Sequence, residues 1–324
     1  MDNFEIKELN EIIEEYVTSE ETYIEDFSML KVLNDYVIEN HIKIKRDQKY
    51  NNRVGINSSY KLSYEFLKTI NPSYSSYLEQ RWNKGIFTLI ENPRNLIAYS
   101  YYDKQKKDNV ISLPVKNDIS DAFAIVHEII HDMNLKESID TSFSFHVFCE
   151  SLSILSEFLL EDYLKEKLTT SSDIYKDRRE VFHAINYKSY IVDFEYFIID
   201  RFLKKGRILD YDITKYLNTK QKDLHQLFNY VLSDILDEKQ LSIDIEQRNI
   251  FGIFFASYMH QRILENPRKI EEFVKINDEI NYMDFYDILK YLDLEIEDYE
   301  FGELKHESYK KLFKSYKKEL RGIH

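Results

Sequence analysis

Six glycines and four prolines are all the strong backbone punctuation in 324 residues. Strands need frequent turns, and turns draw on Gly and Pro, whereas the interior of a helix excludes both. A chain this poor in them is expected to be mainly α-helical. Apolar residues make up 43% and aromatics 15%, with 26 Tyr and 21 Phe, which is ample for a packed interior and excludes whole-chain disorder. The length would hold two or three average domains, but a helical protein of this size also forms around one continuous core.

The formal charge of −14 is spread along the chain. Its average field repels a phosphate backbone, so nucleic acid is not expected as a partner, and it slightly favours basic ligands. No window approaches about eighteen uninterrupted apolar residues, and the N-terminal residues Met1 to Glu5 lack a basic stretch leading into an apolar one. We therefore expect no membrane partner and a cytoplasmic location. The single cysteine, Cys149, cannot form an intramolecular disulfide and sits in an apolar run, as a buried thiol would.

Apolar residues recur at helical spacing through residues 3 to 50 (Phe4, Leu9, Ile12, Ile13, Tyr16, then Phe27, Leu30, Leu33), which predicts two or three amphipathic helices. The pattern continues through 60–82, with Asn71-Pro72 ending one helix and starting the next. Between Gly85 and Val115 the character changes. Three short apolar or β-branched runs, Ile86 to Ile90, Ile97 to Tyr101 and Val110 to Pro114, are separated by the polar stretches Glu91 to Asn95 and Asp103 to Asn109. We read these as a small antiparallel β-sheet. A helix capped by Asp118 or Ser120 follows. From there to about 300 the pattern is mostly helical, with breaks at 134–142, 169–173, 206–212 and Asn266-Pro267. The Lys-rich tail from Glu303 to Leu320 carries Tyr309, Leu312, Phe313 and Tyr316 on one face of a surface helix.

The run Phe123 to Asp132 contains His127-Glu128-Ile129-Ile130-His131, a His-Glu-x-x-His pattern inside a helix. Four residues is just over one turn, so both imidazoles share a face and can bind one metal, with Glu128 beside them as the base that activates water. Ala124, Ile125, Val126, Ile129 and Ile130 make that helix largely buried, where unpaired histidines and a glutamate would be costly. A catalytic zinc needs a third protein ligand. Glu150, on the next helix, lies 19 positions after His131, room for a loop and an antiparallel return, and Glu157 lies two turns further on the same face. Glu150 is the expected third ligand, His146 one turn earlier is a competing one, and Glu157 is expected to orient a histidine from outside the ligand shell or to pin a neighbouring helix.

With these residues in place, the sequence resembles the oligoendopeptidase F and thimet oligopeptidase family of zinc metallopeptidases. The resemblance runs from near the sheet, through Asp118 to Phe123 into the histidine helix, and on to the C-terminus. The family's second helix carries Glu-x-x-Ser-x-x-x-Glu, its first Glu binding zinc, and Glu150, Ser153 and Glu157 reproduce that spacing. Phe194-Glu195 resembles a Phe-Glu pair on a later family helix, and Tyr282 to Leu294 resembles the closing helix. The resemblance implies a helical zincin-type metallopeptidase, mainly α, with the small sheet beside the zinc helix and a substrate channel. It also implies one Zn2+ per chain, peptide substrates, and a strand within Ile97 to Leu113 that pairs with extended peptide backbone. We then expect residues 1–84 to form an N-terminal helical cap region and 85–324 one continuous catalytic region.

Two departures stand out. The family usually has Gly before the second zinc histidine, where this chain has Ile130, and its tyrosine-rich late segment, which binds the oxyanion, corresponds to Asn249 to His260, where phenylalanines prevail. Tyr258 is the one tyrosine left there, read either as oxyanion donor with His260 behind it or as a structural aromatic. The chain is also shorter than family members, the difference lying N-terminal to the sheet. Two alternatives to a general oligopeptidase follow: a protease dedicated to one peptide or protein substrate, and a catalytically weak peptide-binding relative.

Overall fold

The computed structural model of the chain describes residues 3–19, 28–40, 53–91, 98–135, 143–167, 176–222, 224–299 and 302–322. Phe27, the 41–50 stretch of the N-terminal pattern, the turn Asn92 to Asn95, Ile97 and the expected break at 169–173 lie outside the described residues. In chain order come α1 (Asn3–Thr18), α2 (Ser28–Glu39), α3 (Ile56–Ile70) and α4 (Pro72–Asn83), then strands β1 (Phe87–Ile90), β2 (Tyr99–Asp103) and β3 (Asp108–Pro114). There follow α5 (Ser120–Asn134), α6 (Phe143–Lys167), α7 (Lys176–Lys205), α8 (Asp210–Leu217), α9 (Leu224–Glu238) and α10 (Ile243–Glu265). The chain closes with α11 (Ile270–Glu279), α12 (Phe285–Tyr291), β4 (Ile296–Asp298), β5 (Glu303–Leu304) and α13 (His306–Gly322). The protein is mainly helical with a small sheet. No helix among the described residues is long and apolar enough to cross a membrane.

The chain divides into two compact units. The first comprises Met1–Ile42, Ala184–Ile250 and Glu297–Glu303, and the second Lys43–His183, Phe251–Ile296 and Leu304–His324. Helices α3 and α4 belong to the same unit as β1–β3 and α5. The reason is physical, since α3 packs directly on α5 and Ser63 Oγ donates to the Ala122 carbonyl at 3.1 Å.

In the first unit α1 buries Leu9, Ile12 and Ile13, and α9 buries Phe228, Val231, Leu232 and Ile235. The Asn10 side chain accepts from Ile208 N–H at 2.7 Å and donates to the Ile208 carbonyl at 3.0 Å. Phe194 meets Phe228 at 5.1 Å, and Glu195, fully buried, accepts from Ser242 Oγ at 2.8 Å just before α10.

In the second unit the break at Asn71-Pro72 has its mechanism: Asn71 accepts from Ser73 N–H at 3.0 Å, and Pro72 takes the first helical position, where no N–H is needed. The expectation of an antiparallel sheet holds for one strand pair and fails for the other. The order is β1-β3-β2, with β2 antiparallel to β3 (Tyr101 opposite Val110) and β1 parallel to it (Phe87 opposite Ile111). The residues of β3 from Asn109 to Pro114 are all buried, which suits a central strand, whereas β1, exposing Thr88 and Leu89, and β2, exposing Tyr99 and Tyr101, take the edges. Before α5, Asp118 accepts from Ser120 N–H, and Asp121 accepts from Lys116 and Asn117 N–H, each at 2.9 Å, fixing the turn at which Asn117 is left-handed with φ 58°. The tail forms α13, with Tyr309, Leu312 and Tyr316 buried.

Candidate metal centre

Helix α5 is buried along most of its length, and α6 packs beside it. On α5, His127 and His131 bring their Nε2 atoms to 3.0 Å of each other. From α6, Glu150 Oε2 lies 3.2 Å from His131 Nε2 and 4.0 Å from His127 Nε2. One donor atom from each of these three residues falls within 4.8 Å of the others. His146 does not join this group; its ring lies edge-on to Phe145 at 5.5 Å.

Three residues of α6 reach the turn of α5 that carries the two histidines. Besides Glu150, Ser153 Oγ donates to the His127 carbonyl at 3.1 Å, and Glu157 Oε1 lies 2.5 Å from His127 Nδ1. A carboxylate accepts only, so Nδ1 carries a proton and donates it to Glu157, which in the neutral ring leaves the Nε2 lone pair aimed at the cluster. Positions 150, 153 and 157 are separated by three and four residues, which puts them on one helical face.

Burial pushes the His127 imidazole down, but the carboxylates of Glu157, Glu150 and Glu128 outweigh it and hold it well above the ordinary histidine range. His131 is likewise depressed by burial and raised, on balance, by contacts with the Cys149 thiol and Glu150. Two imidazolium rings with nitrogens 3.0 Å apart would repel. The pocket thus demands positive charge that protons on both rings supply poorly. Cys149 is buried, and burial pushes its thiol up, as expected for a packed side chain.

The donor set fits a small divalent metal. Ligand atoms about 2.0–2.1 Å from one tetrahedral ion lie roughly 3.3 Å apart, and the three separations here are 3.0, 3.2 and 4.0 Å. Two imidazole nitrogens and one carboxylate suit zinc and its neighbours better than calcium or magnesium, which take oxygen ligands. Next to His127, Glu128 is 4% exposed and its Oε2 has no hydrogen-bond partner. A buried unpartnered carboxylate oxygen is costly unless something polar binds beside it.

Tyr258 is engaged within its own surroundings. Its hydroxyl donates to the Leu292 carbonyl at 3.0 Å and accepts from Arg262 Nη1 at 3.1 Å, contacts that match the second of the two readings, a structural aromatic. Tyr258 lies six residues beyond Gly252, the α10 position that meets Glu150, which is about 9 Å along the helix and roughly a third of a turn round it. His260 is also engaged elsewhere, between Asp162 at 2.7 Å and Glu319 at 2.8 Å. The phenylalanines of this stretch are core, with Phe251 stacked on Phe255 at 4.6 Å and Phe255 edge-on to Phe148 at 5.2 Å.

Sequence reasoning missed Arg81. Its guanidinium grips Asp132, next to His131, through Nε at 2.8 Å and Nη2 at 3.0 Å, and reaches Asp108 on β3 at 2.7 Å. Asn109 Nδ2 donates to the Asp132 carbonyl at 3.1 Å. Together they tie α4, the sheet and the end of α5. Partners separated by 51 positions leave no local pattern to read.

No protein-family model matches the chain, and no curated protein does. Among solved structures, a crystal structure named "putative peptidase from Chlamydophila abortus" has a similar fold, with a TM-score of 0.60 at 17% identity over 99% of this chain. This chain spans 62% of the length of that one, and at such identity the likeness is one of fold.

Proposed function

We propose that the chain is a zinc-dependent peptidase acting on oligopeptides, with His127, His131 and Glu150 as metal ligands and Glu128 as general base, in the manner of the oligoendopeptidase F and thimet oligopeptidase family. The observation that carries this is the convergence, from two helices, of three metal-competent donor atoms within 4.8 Å. Zinc bound there would supply Lewis acidity, polarising a scissile carbonyl and easing the ionisation of a water. Glu157 holds the His127 Nδ1 proton and so keeps Nε2 free to bind. Glu128 takes a proton from the attacking water at its unpartnered Oε2 and returns it to the leaving amine nitrogen. Among the described residues, β2 lies at an edge of the sheet, and an extended peptide would pair there through its backbone. Backbone pairing favours broad specificity.

A second reading has its own observation. With the Tyr258 hydroxyl committed to Leu292 and His260 to Asp162 and Glu319, both oxyanion candidates of the Asn249 to His260 segment are engaged elsewhere, as in a relative that binds peptides with little turnover. A library of short unstructured peptides, incubated with apo protein and with protein restored by one equivalent of zinc, separates the two. Cutting only after zinc is restored supports the peptidase. Zinc binding and peptide retention without cutting support the second reading, and failure to bind zinc removes both.

A further inference from the structure

Gly252 sits in the interior of α10, in ordinary helical conformation, within the buried run Phe251 to Ala256. Glycine there costs roughly 1 kcal/mol of helix stability relative to alanine, so the position calls for another reason. A Cβ at residue 252 would lie 3.0 Å from Glu150 Cγ, 3.1 Å from Ile154 Cδ1 and 3.4 Å from Glu150 Cβ. Glu150 and Ile154 are one turn apart on α6, so the bare Gly252 backbone lies in the notch between their side chains. The two are not equally free to give way. Ile154 is packed in the core at 3% exposure, whereas the Glu150 side chain pivots at the atoms that meet Gly252 and ends in the oxygen 3.2 Å from His131 Nε2.

We propose that Gly252 is a positioning residue for the metal centre: its missing side chain is the seat that fixes the Glu150 stem and holds the carboxylate on the two histidines. This rests on the reading of His127, His131 and Glu150 as metal ligands. An added methyl displaces the Glu150 stem, and a shift of a few tenths of an ångström at Cγ is enlarged at Oε2.

The test is zinc affinity, measured by competition with a chelating dye, for wild type, Gly252→Ala, Glu150→Gln and the double variant, with the visible spectrum of the Co2+ form as a second readout. Gly252→Ala is expected to keep its helical circular dichroism, bind zinc about 10- to 100-fold more weakly, as losses around a ligand do, and show a shifted Co2+ ligand-field band. In the Glu150→Gln background the same substitution should change affinity less than twofold, because the route runs through Glu150. Should Gly252→Ala fail to fold, Ile154→Val/Gly252→Ala removes the Cδ1 contact and keeps the one to Glu150. Wild-type affinity and spectrum in the folded Gly252→Ala protein, or an equal loss with and without Glu150, would overturn the proposal. If wild type itself binds no zinc, the metal-centre reading fails instead.

Discussion

Glu157 offers a quantitative check on how the centre is built. Its Oε1 lies 2.5 Å from His127 Nδ1, with the Glu157 side chain 12% and the His127 side chain 18% exposed, so solvent screens the pair little. Among the groups that favour a charged His127, Glu157 exerts the largest effect, ahead of Glu150. Loss of an outer carboxylate of this kind typically weakens metal binding about 10- to 100-fold, or roughly 1.4 to 2.7 kcal/mol. Shielding and rank place Glu157→Ala near the upper end. Glu157→Gln keeps an acceptor oxygen for Nδ1–H and loses only the charge, so its loss should be nearer 10-fold. Zinc affinities by dye competition would read the series, with circular dichroism confirming the fold. Zinc binding by Glu157→Ala within twofold of wild type would refute the claim that this carboxylate sets the histidine for the metal.

Further expectations test the surroundings. Tyr258→Phe should cost about 1 kcal/mol in urea unfolding, the worth of a buried hydrogen bond, and leave peptide cleavage within twofold; a hundredfold loss of rate would return Tyr258 to the chemistry. Arg81→Met strands the fully buried Asp132 carboxylate and should destabilise the second unit by about 3–5 kcal/mol, with Asp132→Asn in the same chain recovering much of it. Burial pushes the Asp162 carboxyl up, but the hydrogen bond from His260 and the charges of His260, Arg178 and Lys165 bring it down to about 2. Its folded pKa is therefore below its unfolded value of about 3.9, so it stabilises the fold above pH 4 and that contribution is lost as pH falls towards 2. Unfolding midpoints should drop over that interval in wild type and less steeply in Asp162→Asn.

The core of the centre was legible in the sequence because its information is local. His127 and His131, and Glu150, Ser153 and Glu157, are each set by helical periodicity within one element, so residue spacing alone places each group on a face. The helix breaks at Asn71-Pro72, Gly206 and Asn266-Pro267 were readable for the same reason, since each carries its turn chemistry with it. What escaped depends on pairing between distant segments. Nothing in β1 or β2 states that β3 lies between them, so the parallel β1–β3 ladder was missed. Arg81 looks like any polar residue of an amphipathic helix until Asp132 and Asp108 are beside it. The division into units is interleaved along the chain, with Ala184–Ile250 grouped with Met1–Ile42, and no linker marks it. Tyr258 left two readings open in the sequence, because its partner, the Leu292 carbonyl, lies 34 positions away. Gly252 had a signal that went unused: a lone glycine inside a long apolar helix.

The most direct test of the account is peptide cleavage by Glu128→Gln, run beside wild type with zinc counted in both samples. Glutamine keeps the shape of the side chain and cannot take up the proton, so the account predicts one zinc per chain in each protein and a fall in cleavage of at least about a hundredfold in the variant. Zinc-loaded Glu128→Gln that cut peptides at the wild-type rate would contradict it.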